Sequence, residues 1–350
     1  MPSVTIDAGV LATPSPGASR DDIYHYIENL LDWQKLLEES WISIYMSEKI
    51  SNTLVDDGAY PLRENLKRLF SSKGIIEYDV ETLVYFIEYL LRLTPSFEKY
   101  CHIKDVLTEE LLIEPNINIL TPGKNMQSDL ERCLVLFAIL CNFSDNNPLN
   151  NHTWIIRECP STGSIKLKAK IILLEHNRND LQRLPQLPVM IEGPIPVCRD
   201  FRGLILKIEE SSAWRAAQNE VEKEMALKVA IFKARFIGDT EAEWGSFPAF
   251  RFGRKFLESV DRICQSTPDN FLTKLLRSMA ETLDKQNMRA VHPLREDEGG
   301  NTPQRIRKAD SARAWRRDID YNYHLHYWDC ADGSIEFALI GPHNCFDIPD

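Results

Sequence analysis

His324, His326 and His343 lie within the most chemically loaded stretch of this 350-residue chain, Pro303 to Pro349, which reads PQRIRKADSARAWRRDIDYNYHLHYWDCADGSIEFALIGPHNCFDIP. Tyr321 to Trp328 alternates so that Asn322, His324, His326 and Trp328 share one face of a strand, with Tyr321, Tyr323, Leu325 and Tyr327 on the other. Imidazoles so placed have three uses: satisfied structural hydrogen bonds, proton transfer, or metal ligation, for which Asp347 is the nearest acidic companion. Ahead of them, Asn301 to Arg317 carries six basic side chains and one acidic. Arg305 and Arg307 share a face if Gln304 to Lys308 is extended, and so do Arg313, Trp315 and Arg317. Guanidinium forks suit bidentate phosphate contacts. The plainer alternative is a solvated face paired with Asp310, Asp318 and Asp320.

These side chains need a scaffold, and the flanking patterns supply one. Asp332-Gly333 is a tight-turn signal between Tyr321–Trp328 and a second alternating run, Ser334 to Ile340, so Tyr321 to Ile340 reads as a β-hairpin. Two helices are expected before it, Pro248 to Ile263 and Pro268 to Leu283. The second opens Ser266-Thr267-Pro268-Asp269, with a proline near its first turn. Phe271, Leu272, Leu275, Leu276, Met279 and Leu283 form its apolar stripe.

Helix, helix, then a curled antiparallel sheet resembles the RelE/ParE toxin superfamily. FGRKFLESVDRI is similar to that family's first helix, HPLRE to its post-helix segment, DYNYHLHYW to its central strand and IEFALIGPHNCF to its last strand. The resemblance covers residues 243–350. It implies a ribosome-associated endoribonuclease that cuts mRNA, or, in the ParE branch, an inhibitor of DNA gyrase. Under it, His324, His326, His343, Arg313 and Arg317 are the catalytic candidates and Arg305, Arg307, Lys308 and Arg316 the RNA- and phosphate-binding ones. No metal and no cofactor are expected, and the implied partners are RNA or the ribosome, with an antitoxin or a defence-complex protein as a further partner. Two positions depart from the family pattern: Asn344 stands where a basic residue is expected, and Phe346 or Ile348 is near the place of the terminal tyrosine. A catalytically inactive module that binds a protein in a bacterial defence or regulatory complex is therefore the alternative.

Composition sets outer limits. A net charge of −11 argues against indiscriminate nucleic-acid binding by the whole molecule, so any anion-binding surface must be local. No apolar run is long enough to span a bilayer and the N-terminus has no signal-peptide pattern, which leads us to expect a cytoplasmic protein without a membrane partner. Eight scattered cysteines without a CxxC pair read as reduced thiols. Walker, GxSxG and HExxH signatures are missing.

The fold class expected is α+β. Residues 1–18, rich in Pro, Ser, Gly and Ala, read as a disordered tail, and 19–150 as an α-helical domain with helices near Leu62–Ser72, Val80–Leu93, Val106–Ile113 and Ser128–Phe143. After the polar loop Ser144 to His152, residues 151–242 read as a β-rich middle region. Its expected strands are Trp154–Glu158, Ile165–Glu175, Val189–Glu192 and Phe201–Glu209. A long helix capped by Ser211 and Ser212 and ended by Gly238 connects it to the RelE-like domain at 243–350. In IKLKAKIILL, Lys166, Lys168 and Lys170 share one face and read as the solvated side of a strand.

Overall fold

The strand Ser3–Ile6 (β1) is buried at every position and lies inside a six-stranded sheet. The computed structural model describes residues 2–144, 151–178, 181, 186–268, 270–296 and 302–349. Asp269 and residues 145–150 of the expected polar loop lie outside these. The chain is α+β and divides into two compact units, Met1–Ile208 and Glu209–Asp350.

In the first unit β1 is flanked by Ser43–Met46 (β2) and His152–Ile155 (β4), both parallel to it. Val189–Cys198 (β6) continues the parallel set, then Ser164–His176 (β5) and Ile103–Glu114 (β3) extend it antiparallel, giving the order β2-β1-β4-β6-β5-β3. A parallel strand covered on both faces is buried at every position, and in SVTI the polar Ser3 and Thr5 are buried by bonding to His152. The disordered tail expected over 1–18 is thus corrected, because the β-branched Val4, Thr5 and Ile6 pair into the sheet ahead of the Pro- and Ser-rich stretch that follows. Helix Lys124–Phe143 places Leu130, Leu134 and Phe137 in a core shared with Phe97, Trp154 and Ile195. His152 is built into the strands themselves, its Nδ1 2.8 Å from Ser3 Oγ and its Nε2 3.0 Å from Thr5 Oγ1, and burial pushes its pKa down to about 3.

Two expected elements change type. Val106–Ile113 is strand rather than helix: β3 pairs with β5, setting Glu114 opposite Lys166 and Glu109 opposite Lys170, with Lys170 Nζ 2.7 Å from Glu109 Oε2. Long-range pairing with the lysine stripe overrides the local helical preference of Leu and Glu. Phe201–Glu209 is the reverse case. Asp200 accepts a hydrogen bond from Gly203 N and caps helix Phe201–Lys207. The boundaries move accordingly, from 150/151 and 242/243 to one division after Ile208.

The second unit begins with helices Glu210–Ala216 and Glu220–Gly238. These replace the single long helix because Ala217 is extended and Asn219 caps a new start by accepting from Glu222 N. The expected helix from Pro248 is also divided, into strand Phe250–Phe252 (β7) and helix Phe256–Cys264. Val291–Pro293 (β8), Arg313–Asp318 (β9), Tyr323–Asp329 (β10) and Ile335–Pro342 (β11) complete a sheet of order β7-β11-β10-β9-β8. All its pairs are antiparallel except β7 with β11. The β10–β11 hairpin turns at Gly333, whose φ of 82° is left-handed. Helix Phe271–Leu283 buries the whole expected stripe, and Phe256 meets Phe337 of β11 with ring centroids 5.7 Å apart.

Phe337 is 0 % exposed. Phe337→Ala is expected to lower the unfolding free energy by about 3–5 kcal/mol in urea titrations; a loss below about 1 kcal/mol would contradict this packing.

Candidate functional site

Antiparallel register sorts the C-terminal residues onto two faces. Opposite His324 is Asp318, opposite His326 is Arg316, and opposite Arg316 on the other side is His292. Partners across a ladder share a face. His292, Arg316, Asp318, His324 and His326 are therefore brought together. Leu325 faces Arg317 and Asp329 faces Arg313, on the side that meets the helices.

Arg317 and Arg313 consequently stand apart from the histidines. Arg317 is 0 % exposed; its Nη1 lies 2.7 Å from Glu281 Oε2 and its Nη2 donates to the Gln286 carbonyl. That is a fastening between sheet and helix. Arg313 is exposed at the start of β9. The phosphate-binding candidates separate as well. Arg307 is buried between Asp310 and Glu336, at 2.9 Å and 3.0 Å, which with the Trp328 ring beneath it leaves its charge fully matched. Those carboxylates hold its pKa above the ordinary arginine value. Arg305 Nε donates to the Arg295 carbonyl at 3.4 Å, while Lys308 is exposed nearby.

On the second face the geometry is specific. His324 Nε2 lies 3.0 Å from Asp318 Oδ1, and Asp318 Oδ2 lies 3.8 Å from His292 Nε2. An ionised carboxylate only accepts, so the His324 proton sits on Nε2 and Nδ1 keeps a bare lone pair. That nitrogen is buried without a partner among the described residues. The exposed His343 ring packs against His324 with centroids 4.6 Å apart and lies parallel to Tyr321 at 6.5 Å. Burial lowers the pKa of His324, the Arg316 charge lowers it further, and Asp318 opposes both.

His326 is more enclosed. Its Nδ1 donates to the Asp347 carbonyl at 2.9 Å, as Trp328 Nε1 does to Pro349, so the chain end covers this part of the face. Burial brings its pKa to about 4. Arg316 lies at the same place, its guanidinium 5.4 Å from the Phe346 ring.

The metal alternative fares differently. The nitrogens of His324, His326 and His343 do not all come within 4.8 Å of one another; among the described residues that convergence is found for Glu98, Asp129 and Cys133 in the first unit. A guanidinium already serves that trio: Arg132 Nη2 lies 2.8 Å from Asp129 Oδ1 and bonds Glu98 as well. Glu98 also accepts from Ser96 Oγ and from Glu48 N, and the Glu48 amide together with Arg132 holds it below the usual carboxylate range against burial.

Asp318 and His292 were not among the sequence-derived candidates, although their alternation with Arg316 and the segment HPLRE would have located them. Asp7 was missed too, since its strand was read as tail. It follows β1, accepts from Gly9 N at 2.9 Å, and is lifted to about 7 by burial, with the Asp129 charge adding to the effect.

Comparison of the chain with protein-family models, with curated proteins and with solved structures returned no match. Among the described residues no helix is long and apolar enough to cross a membrane.

Two outcomes test these assignments. Glu281→Ala leaves Arg317 buried and unpaired and is expected to cost about 3–5 kcal/mol, most of it recovered by adding Arg317→Met; equal losses in the single and double variants would remove the fastening role. Asp7 binds its proton more tightly folded than unfolded, so its contribution is present at low pH and is lost as pH rises from about 4 to about 7. Asp7→Asn should match the wild type near pH 4 and exceed it at pH 8 by up to roughly 4 kcal/mol in chemical unfolding. Parallel stability curves for the two proteins would contradict the burial argument.

Proposed function

We propose that the unit Glu209–Asp350 acts on RNA as a RelE-like phosphodiester transferase, and that Met1–Ile208 restrains or directs it. The observation that carries this reading is the exposed His343 ring packed on His324, whose tautomer Asp318 sets. Two further features support it: the order of two helices followed by an antiparallel sheet, which is the order of the RelE/ParE superfamily, and Arg316 beside the imidazoles.

In the reaction the RNA 2′-hydroxyl attacks the adjacent phosphorus. A new O2′–P bond forms, the P–O5′ bond breaks, and the products are a 2′,3′-cyclic phosphate and a 5′-hydroxyl. His343, the exposed ring, takes the proton of the attacking hydroxyl and returns it, through solvent, to the departing O5′. The neutral His324 beneath it, held by Asp318, presents a lone pair and not a second positive charge, so His343 can accept that proton without like-charge repulsion. Arg316 supplies positive charge toward the phosphate oxygens as negative charge grows on them. The roles first given to Arg313 and Arg317 pass to Arg316, because only Arg316 shares the histidine face.

A second reading has its own observation. The last residues lie over His326 and Trp328, which leaves that part of the face closed. A protein-binding module needs no open catalytic face, so the same chain with no cleavage activity would be an inactive relative, with an antitoxin, a defence-complex protein or DNA gyrase as partner.

Cleavage of a reporter mRNA in a cell-free translation reaction separates the two. The full chain and the isolated 209–350 unit are expected to yield fragments ending in 2′,3′-cyclic phosphate, and His343→Ala to lower the rate ~10²–10⁴-fold without loss of fold. Undiminished cleavage by that variant would displace the site; no cleavage by either folded protein would favour the binding module.

A further inference from the structure

The first unit contains a second place where charge is left unanswered, at the carboxyl ends of its parallel strands. The connection from β1 goes to β2 on one side, while β4 lies on the other side of β1, so the strand order reverses at the β1/β4 boundary. Open sheets receive ligands in the crevice at such a point, because the chain diverges there and leaves the strand ends uncovered. A cavity of about 240 Å³ lies here, lined by Val10 after β1, Arg157 after β4, Arg199 after β6, and Asn29 of helix Arg20–Leu37.

Arg157 and Arg199 are the notable members. Arg157 is half-buried, yet neither guanidinium makes an ion pair or hydrogen bond within the described residues. In contrast, Arg132, Arg307 and Arg317, which are buried to this degree or more, are each matched by a carboxylate. Two carboxylates share the cavity wall. Asp22 accepts from Ser19 backbone N at 3.0 Å and from its Oγ at 2.6 Å, and Arg199 acts on it through space without a direct ion pair. Glu158 is exposed and keeps its water. A half-buried cation without a partner costs solvation free energy unless an anion completes it.

We propose that this crevice binds a phosphate monoester of a sugar, with Arg157 and Arg199 holding the phosphate and Glu158 and Asn29 taking hydroxyl groups of the sugar. Two guanidiniums present planar donor forks to one phosphate, and a carboxylate at the rim accepts from a hydroxyl but repels a bare anion. The cavity therefore discriminates in favour of ribose 5-phosphate over inorganic phosphate. It stands independently of the histidine face of the other unit.

The test is isothermal titration of the full chain with ribose 5-phosphate, inorganic phosphate and ribose. Saturable one-site binding of ribose 5-phosphate is expected, weaker binding of phosphate and none of ribose. Arg199→Gln, at an exposed position, and Arg157→Gln should each weaken binding at least ~10-fold, with Arg157→Lys intermediate. No saturable binding of either phosphate to the wild type would overturn the proposal, and so would unchanged affinity in the Arg199→Gln variant.

Discussion

A strand has two faces and only two, and in Arg313–Asp318 this constraint decides what every neighbouring charge can do. Arg317 goes inward to Glu281 and the Gln286 carbonyl; Arg316 and Asp318 go outward to the histidines. Because a buried guanidinium without its carboxylate is costly, the Arg317–Glu281 pair ties the register of β9 to helix Phe271–Leu283. A slip of one residue would bury Arg316 or Asp318 against that helix and turn Arg317 toward His324. The placement of Asp318 beside His324 is thus a consequence of where Arg317 must be.

The hairpin was legible because its signals are local: period-two alternation, the Asp332-Gly333 turn and the apolar stripe of Phe271–Leu283 all survive in the structure. The same alternation showed that His324 and His326 share a face. It could not show which face of β9 is turned to the helices, since Arg313, Trp315 and Arg317 make as plausible an outer row as Arg316 and Asp318. That choice depends on Glu281, more than thirty positions away in the chain. Val106–Ile113 failed for the same kind of reason, its strand conformation being set by lysines on β5, and β1 failed because an alternation of only four residues beside a Pro- and Ser-rich stretch is too short to read.

The histidine face combines enclosure with incomplete satisfaction. His324 Nδ1, His326 Nε2 and Arg316 Nε are all buried and without hydrogen-bond partners among the described residues. Leaving such atoms unpaired is unfavourable, and a structural role would have been served at less cost by apolar side chains in the same positions. Imidazoles kept neutral by burial, next to an exposed one, are instead suited to receiving and passing a proton. The covering segment Phe346–Pro349 limits this to the His343 end of the face, where solvent still reaches a ring.

The first unit shows three ways for a fold to accommodate charge near a parallel sheet. Glu98 and Asp129 are neutralised by Arg132, an internal guanidinium that occupies the position a cation would need. Asp7 is neutralised by a proton, which its elevated pKa makes available near neutrality. Arg157 and Arg199 have neither answer within the described chain. A group that can shed its charge or find it matched needs nothing more from outside, whereas an arginine cannot deprotonate at any physiological pH. Its compensation must come from solvent or from a ligand, and half-burial removes much of the solvent from Arg157. The strand-end crevice differs from the carboxylate cluster on this ground: the cluster is complete in itself, and the crevice is not.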